Sequence, residues 1–173
     1  DLLNLETLNN YYFRMEKSIY MDNRLQYVIS FEPKTNLEYA LYYGKLYIDK
    51  ESLAFTRIET SLDMRDRNKV TQAILKKKPM GLNFKPLELS FVVDYKEQNG
   101  RMALSYVRNE VKFKCDWKKK LFHTEYTIVS EMAVTDMTDN DVEKISYKES
   151  FKDYNSLSDK VSSFYDENYW GAY

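Results

Sequence analysis

The chain has 173 residues, with 26 basic and 27 acidic side chains and a formal net charge of −1. That length suits one domain able to bury roughly 70% of its unfolded surface without staples. The charge balance excludes a strong global field for nucleic acid or an acidic membrane surface. Its single cysteine, Cys115, excludes an internal disulfide, and no apolar run approaches the roughly 20 residues that span a bilayer. Aromatics make up 16%, with 16 tyrosines, which suits strands that pack a ring and leave its hydroxyl wet. The start at Asp1, without a leader, reads as a piece of a longer or processed polypeptide.

The opening "DLLNLETLNN" predicts a short helix or a frayed lead-in. From Tyr11 to Phe31 a hairpin follows. Phe13, Met15, Ile19 and Met21 share a parity with Leu25, Tyr27, Ile29 and Phe31, so both arms can bury one face. A three-residue Asp22-Asn23-Arg24 loop would place Met21 opposite Leu25 and Ile19 opposite Tyr27. A second hairpin covers residues 38 to 62, turning at Lys50-Glu51-Ser52. Leu46, Ile48, Ala54 and Ile58 fall on one face; Tyr43, Tyr47 and Phe55 fall on the other, beside Lys45 and Arg57. Apolar matter on both faces predicts partial cover on the second side.

Periodicity then changes. Val70, Ala73, Ile74 and Lys77 lie at helical spacing, with Asp66 or Asn68 as cap and Pro79 as stop. Two long strands follow. Leu87, Leu89, Phe91, Val93 and Tyr95 form one apolar set, and Val107, Val111, Phe113, Cys115 and Trp117 the next. Both sets are odd-numbered, so the loop between them needs an odd count. A Gln98-Asn99-Gly100 loop with Gly100 as a left-handed bulge satisfies this and sets Phe91 opposite Val107. Phe122, Tyr126, Ile128, Met132 and Val134 continue the core, and residues 158 to 168 predict a second short helix. The expected fold is a single β-dominated α+β domain over residues 1–173. Its core is an antiparallel meander curved into a half-barrel, with two short helices packed on it.

No motif supplies a catalytic set. His123 is the lone histidine and falls on the solvent parity, while Cys115 falls on the buried parity of another strand, so a Cys–His pair is not assembled. Asp136, Asp139, Asp141 and Glu143 form an acidic loop whose spacing does not match a calcium loop, and no metal site is assigned. No cofactor is expected. Lysines 76–78 and 118–120 would suit an acidic lipid head group or polysaccharide if they converged, and otherwise read as a helix end and a solvated turn. Tyr39, Tyr43, Tyr47 and Phe55 are the candidate ligand-binding residues, together with Tyr42 on the same stretch. Rings on a sheet stack on sugars or line an apolar groove, and equally serve as cross-strand pairs. No pair among the 27 acidic residues is singled out for glycoside hydrolysis.

Residues 44–100, 107–122 ("VRNEVKFKCDWKKKLF"), 126–136 ("YTIVSEMAVTD") and 166–173 ("DENYWGAY") together resemble the β-rich region of carboxypeptidase-like regulatory domain-containing proteins. The likeness covers most of the chain after about residue 11. It implies export to a Gram-negative envelope, in the periplasm or at the outer membrane, downstream of an immunoglobulin-like domain that is not part of this sequence. It implies no peptidase activity and transfers no site residue. A second likeness, of "GKLYIDKESLAFTRIE" to a strand–turn–strand of periplasmic lipoprotein carriers, implies an open curved sheet plugged by helices. The resulting expectation is a non-enzymatic envelope binding or scaffold domain holding a lipid or glycan on the concave sheet face, or engaging an envelope protein. The alternatives are a hydrolase of envelope material, and a structural module presenting a neighbouring domain to a partner complex.

Overall fold

The computed structural model describes residues 4–75, 79–117, 124–138, 140, 142–148, 150 and 152. The chain divides into two units, Asp1–Thr135 and Asp136–Tyr173. The first unit is a β-dominated α+β structure. It holds α1 (Leu5–Leu8), β1 (Tyr11–Met15), β2 (Ile19–Met21), β3 (Arg24–Pro33), β4 (Tyr42–Asp49) and β5 (Phe55–Leu62). It continues with α2 (Arg67–Ile74), β6 (Leu82–Gln98), β7 (Arg101–Trp117) and β8 (Thr124–Ala133). The eight strands form one open antiparallel sheet in the order β1-β3-β4-β5-β6-β7-β8, with β2 also pairing β3. No helix among the described residues is long and apolar enough to cross a membrane.

The turns of the β2–β3 and β6–β7 hairpins are both shorter than the odd-count reading predicts. Met21 pairs Arg24 across Asp22-Asn23, and Gln98 pairs Arg101 across Asn99-Gly100. All four turn residues have positive φ, between 51° and 74°, the geometry whose twist matches the flanking strands. Parity is restored elsewhere. Between β6 and β7, Asp94 pairs Tyr106 but Tyr95 pairs Leu104, so Ser105 is the extra residue and its hydroxyl donates to the Asp94 carbonyl at 3.0 Å. Phe91 accordingly faces Asn109, and Val93 faces Val107. In the first hairpin the break between β1 and β2 absorbs the mismatch. Phe13 faces Phe31, but Ile19 faces Gln26 and Tyr20 faces Leu25.

The β4–β5 connection also differs from the expected three-residue turn. The loop runs over residues 50 to 54, and buried Asp49 organises it by accepting from the N–H groups of Glu51 and Ser52 and the Ser52 hydroxyl. Ile48 pairs Phe55 and Tyr47 pairs Arg57, leaving Thr56 as a bulge whose hydroxyl donates to buried Gln26 at 2.8 Å. That bulge moves Phe55 onto the face of Ile48 and away from Tyr43 and Tyr47. A third bulge leaves Leu87 unpaired beside Pro86, which has no N–H to give a central ladder.

One sheet face is the core. Tyr11, Phe31, Leu41 and Leu46 form one buried cluster, with Phe55 and Ile58 packed against it. Leu62, Val70 and Leu89 form a second, joined by Ile74, Phe91 and Val111. Helix α2 supplies Val70, and Asp66 caps its first turn by accepting from the N–H groups of Asn68 and Lys69. Ala73 is exposed, not packed on this face. The face continues through Phe113 to Tyr126, Ile128 and Met132 on β8, but there it is open: these three are 46%, 53% and 47% exposed, not core. Trp117 and Val134 are exposed too.

In the second unit, Ser150 bonds back to the Ser146 and Tyr147 carbonyls, and the Lys152 ammonium stands 3.7 Å from the Tyr147 ring centroid. The predicted helix over 158–168, Phe122, His123 and both lysine runs lie outside the described residues.

Candidate functional site

The sheet face opposite the core carries a cleft of about 930 Å³ running across β1, β3, β4, β5 and β6. Alternation places its lining. Two transverse rows follow from the pairing. In one, Tyr12 faces Glu32, and Tyr43 faces Ser61, which faces Ser90. In the other, Arg14 faces Ser30, Ser30 faces Lys45, Lys45 faces Glu59, and Glu59 faces Val92. Strands lie about 4.8 Å apart, so Tyr12 and Tyr43, two strands apart, stand roughly 10 Å from each other, with Glu32 on the strand between them and Ser61 and Ser90 beyond Tyr43. Both rings are open, at 57% and 48% exposure. Lys34 lies 5.5 Å from the Tyr12 ring centroid and helps to orient it.

The charges of this cleft divide into committed and uncommitted groups. Glu59 takes Arg57 Nε at 2.8 Å and the Tyr47 hydroxyl at 3.0 Å. Glu88 takes Lys112 at 2.8 Å. Asp63 takes Arg65, whose hydrogen bonds hold its carboxyl below the usual carboxylate range. Arg14, Lys45 and Glu32 have no ion-pair partner among the described residues, so the cleft offers a ligand two cations and one carboxylate.

A smaller recess of about 370 Å³ opens on the core side, lined by Thr7, Tyr11, Tyr39, Leu41, Tyr42 and Phe91 among others. Its walls are mostly apolar, and Tyr39, Ala40 and Leu41 of the β3–β4 connection form part of them.

The five aromatic residues singled out from sequence do not form one site, and only Tyr39 and Tyr42 share a lining, that of the apolar recess. Tyr43 lines the polar cleft. Tyr47 shares its face, but its ring is buried and its hydroxyl is bonded to Glu59; burial and that carboxylate push its pKa up to about 12. Tyr39 is on the loop before β4 and borders the apolar recess on the other side. Phe55 is packed into the core. Tyr12, Arg14, Ser30 and Lys45 are the site residues that sequence reading passed over. Their signal was present in the polar parity of β1, β3 and β4, but which of them meet depends on register.

In the acidic loop, Asp136 and Glu143 are exposed, and Asp139 and Asp141 lie outside the described residues. Among the described residues no group of three or more His, Cys, Asp or Glu side chains is placed to hold a metal ion. Cys115 is partly buried and faces Phe84. No protein-family model, no curated protein and no solved structure matches this chain.

Proposed function

We propose that this chain is a non-enzymatic binding domain that holds a glycan in the cleft of its polar sheet face. The observation that carries the reading is one cleft holding two open rings, Tyr12 and Tyr43, and the hydroxyls of Ser61 and Ser90, in line with Tyr43 on the next two strands. Sugars present apolar C–H faces and a rim of hydroxyls, and this surface offers both kinds of partner side by side. Three of the four carboxylates lining the cleft, Glu59, Asp63 and Glu88, are tied to cations, and this favours binding over hydrolysis. A glycosidase needs one carboxyl held protonated as general acid. In this cleft Asp63 is displaced in the opposite direction, and Glu59 and Glu88 are occupied by Arg57 and Lys112. An exported, envelope-associated location is part of the proposal and is supported by the sequence resemblance.

The apolar recess favours a second reading, in which an acyl chain or other apolar group enters beside Tyr11, Tyr39 and Phe91. Native mass spectrometry of the protein purified from a native envelope, with Tyr12→Ala and Tyr43→Ala variants alongside, separates the two. Copurified saccharide lost in both variants supports the glycan reading. Lipid retained in both variants, with no saccharide on the wild type, overturns it.

A further inference from the structure

The geometry points to β8 as a self-pairing edge: β8 of one copy adds antiparallel to β8 of a second copy, joining two sheets across a two-fold axis at Val129. Open sheets expose two edges, and proteins usually protect them with breaks, bulges, lysine or proline. The β1 edge is protected in this way, being interrupted between Met15 and Ile19 and carrying Arg14 and Lys17. The β8 edge is not. It runs ten residues without Lys, Arg, Pro or Gly, and its register with β7 is unbroken from Cys115–Thr124 to Tyr106–Ala133. Every one of its residues is exposed.

The backbone direction is set by β7. The N–H of Val134 donates to the Ser105 carbonyl at 2.9 Å, so even-numbered residues of β8 bond inward. Glu125, Thr127, Val129, Glu131 and Ala133 therefore turn their N–H and C=O groups outward, ready for another strand. The charges permit a second copy to approach. The strand's two acidic residues are already met from β7, Glu125 by Lys114 at 3.5 Å and Glu131 by Arg108 at 2.8 Å.

Register follows from those same residues. With the axis at Val129, Val129 meets itself, Thr127 meets Glu131, and Glu125 meets Ala133. On the other face Tyr126 meets Met132, and Ile128 meets Ser130. The apolar stripe that the first sheet leaves open thus continues onto its partner, and no like charges are opposed. Centring on Ile128 would set Glu125 against Glu131 twice, which cross-strand like charges disfavour. The arrangement is isologous and closes at two copies.

Sedimentation equilibrium of the full chain over about a hundredfold range of concentration tests this directly. The expected result is a monomer–dimer equilibrium for the wild type and a monomer for Val129→Pro, which removes one outward N–H and leaves the β7 ladder intact. Disulfide trapping in a Cys115→Ser background reads the register independently of that variant's folding. Val129→Cys should cross-link on oxidation, because an opposed pair lies about 5.5 Å apart between α-carbons, within disulfide reach. Thr127→Cys should not, since each copy's residue 127 faces residue 131. A wild type that stays monomeric throughout, a dimer untouched by a folded Val129→Pro, or a monomer that instead takes up strands of unrelated proteins would overturn the proposal. So would equal cross-linking at 127 and 129.

Discussion

The Tyr47 hydroxyl donates to Glu59 Oε2 at 3.0 Å while Arg57 Nε holds Oε1 of the same carboxylate at 2.8 Å. Arg57 reaches on to Asp94 at 3.4 Å, so three adjacent strands are tied across the polar face. Burial, and then the neighbouring carboxylate, raise the Tyr47 pKa from 10.0 to about 12. A raised folded-state pKa contributes stability that is complete below the unfolded value and lost as pH rises through the folded value. The alkaline window of loss is therefore between pH 10 and about 12. Tyr47→Phe should lower stability at neutral pH by about 1.5 kcal/mol, typical of a hydrogen bond to a charged group. It should also flatten the alkaline decline. Urea unfolding at a series of pH values reads both, and an unchanged alkaline slope would exclude Tyr47 as its source.

Gly44 is a packing requirement, not a turn residue. A Cβ built on it would stand 1.9 Å from the Glu59 carbonyl oxygen and 2.9 Å from the Thr60 α-carbon, both backbone atoms that cannot swing aside. Gly44→Ala should therefore cost about 2 kcal/mol or more, in the range of overpacked sites. Because Gly44 lies between Tyr43 and Lys45, the same variant should weaken ligand retention in the cleft. Thermal unfolding at the wild-type midpoint would mean that β4 and β5 do not approach this closely.

Much of this fold was legible in the alternation of apolar and polar residues, because period two is imposed by the pleat and survives any choice of turn. Helix α2 was legible for a local reason as well: Asp66 is a cap and Val70 a core position in sequence terms alone. Registers were not. Parity fixes whether the number of intervening residues is odd or even, but not where an extra residue sits. Asp22-Asn23 and Asn99-Gly100 prefer the tight turn; the surplus of the first falls in the break between β1 and β2, that of the second at Ser105, and the β4–β5 pair carries its own extra residue at Thr56. The candidate site inherits that uncertainty. Tyr12 and Tyr43 are far apart in sequence and meet the same cleft only once β1, β3 and β4 are in register.

Asn109 marks a local conflict of this kind. It occupies the apolar face between Phe91 and Ser130, and its Oδ1 is buried without a hydrogen-bond partner. A buried acceptor left unmade costs about 1–3 kcal/mol. Asn109→Val, a β-branched residue suited to a strand, should raise stability by about 1 kcal/mol, measurable as a higher urea midpoint with an unchanged slope. A lower midpoint would show that the Asn109 amide is needed where it stands.

Asp49 governs the acid limb. Hydrogen bonds from the Ser52 backbone and hydroxyl hold its carboxyl below the ordinary value of 3.8, against the opposing effect of burial. A depressed folded-state pKa gives stability that is complete above the unfolded value and is lost as pH falls through the folded one. The contribution therefore fades below about pH 4. Asp49→Ala should destabilise by about 2 kcal/mol at pH 7, since it strands the Glu51 and Ser52 N–H groups. The gap between variant and wild type should narrow as pH drops toward 2. A constant gap across that range would place the cost in packing.

Phe55 and Tyr43 distinguish the core face from the cleft face most sharply, because alternation alone put them together and the Thr56 bulge separates them. Phe55 packs against the cluster of Tyr11, Phe31, Leu41 and Leu46, whereas Tyr43 leaves half its surface to solvent. Phe55→Ala should cost about 3 kcal/mol, as a large-to-small change in a core does. Tyr43→Ala should stay within about 0.5 kcal/mol, as open surface positions do. Ligand retention should follow the reverse order, lost in Tyr43→Ala and kept in Phe55→Ala wherever that variant is folded. Equal destabilisation by the two variants would return Phe55 to the tyrosine face, and with it the straight register that the bulge replaces.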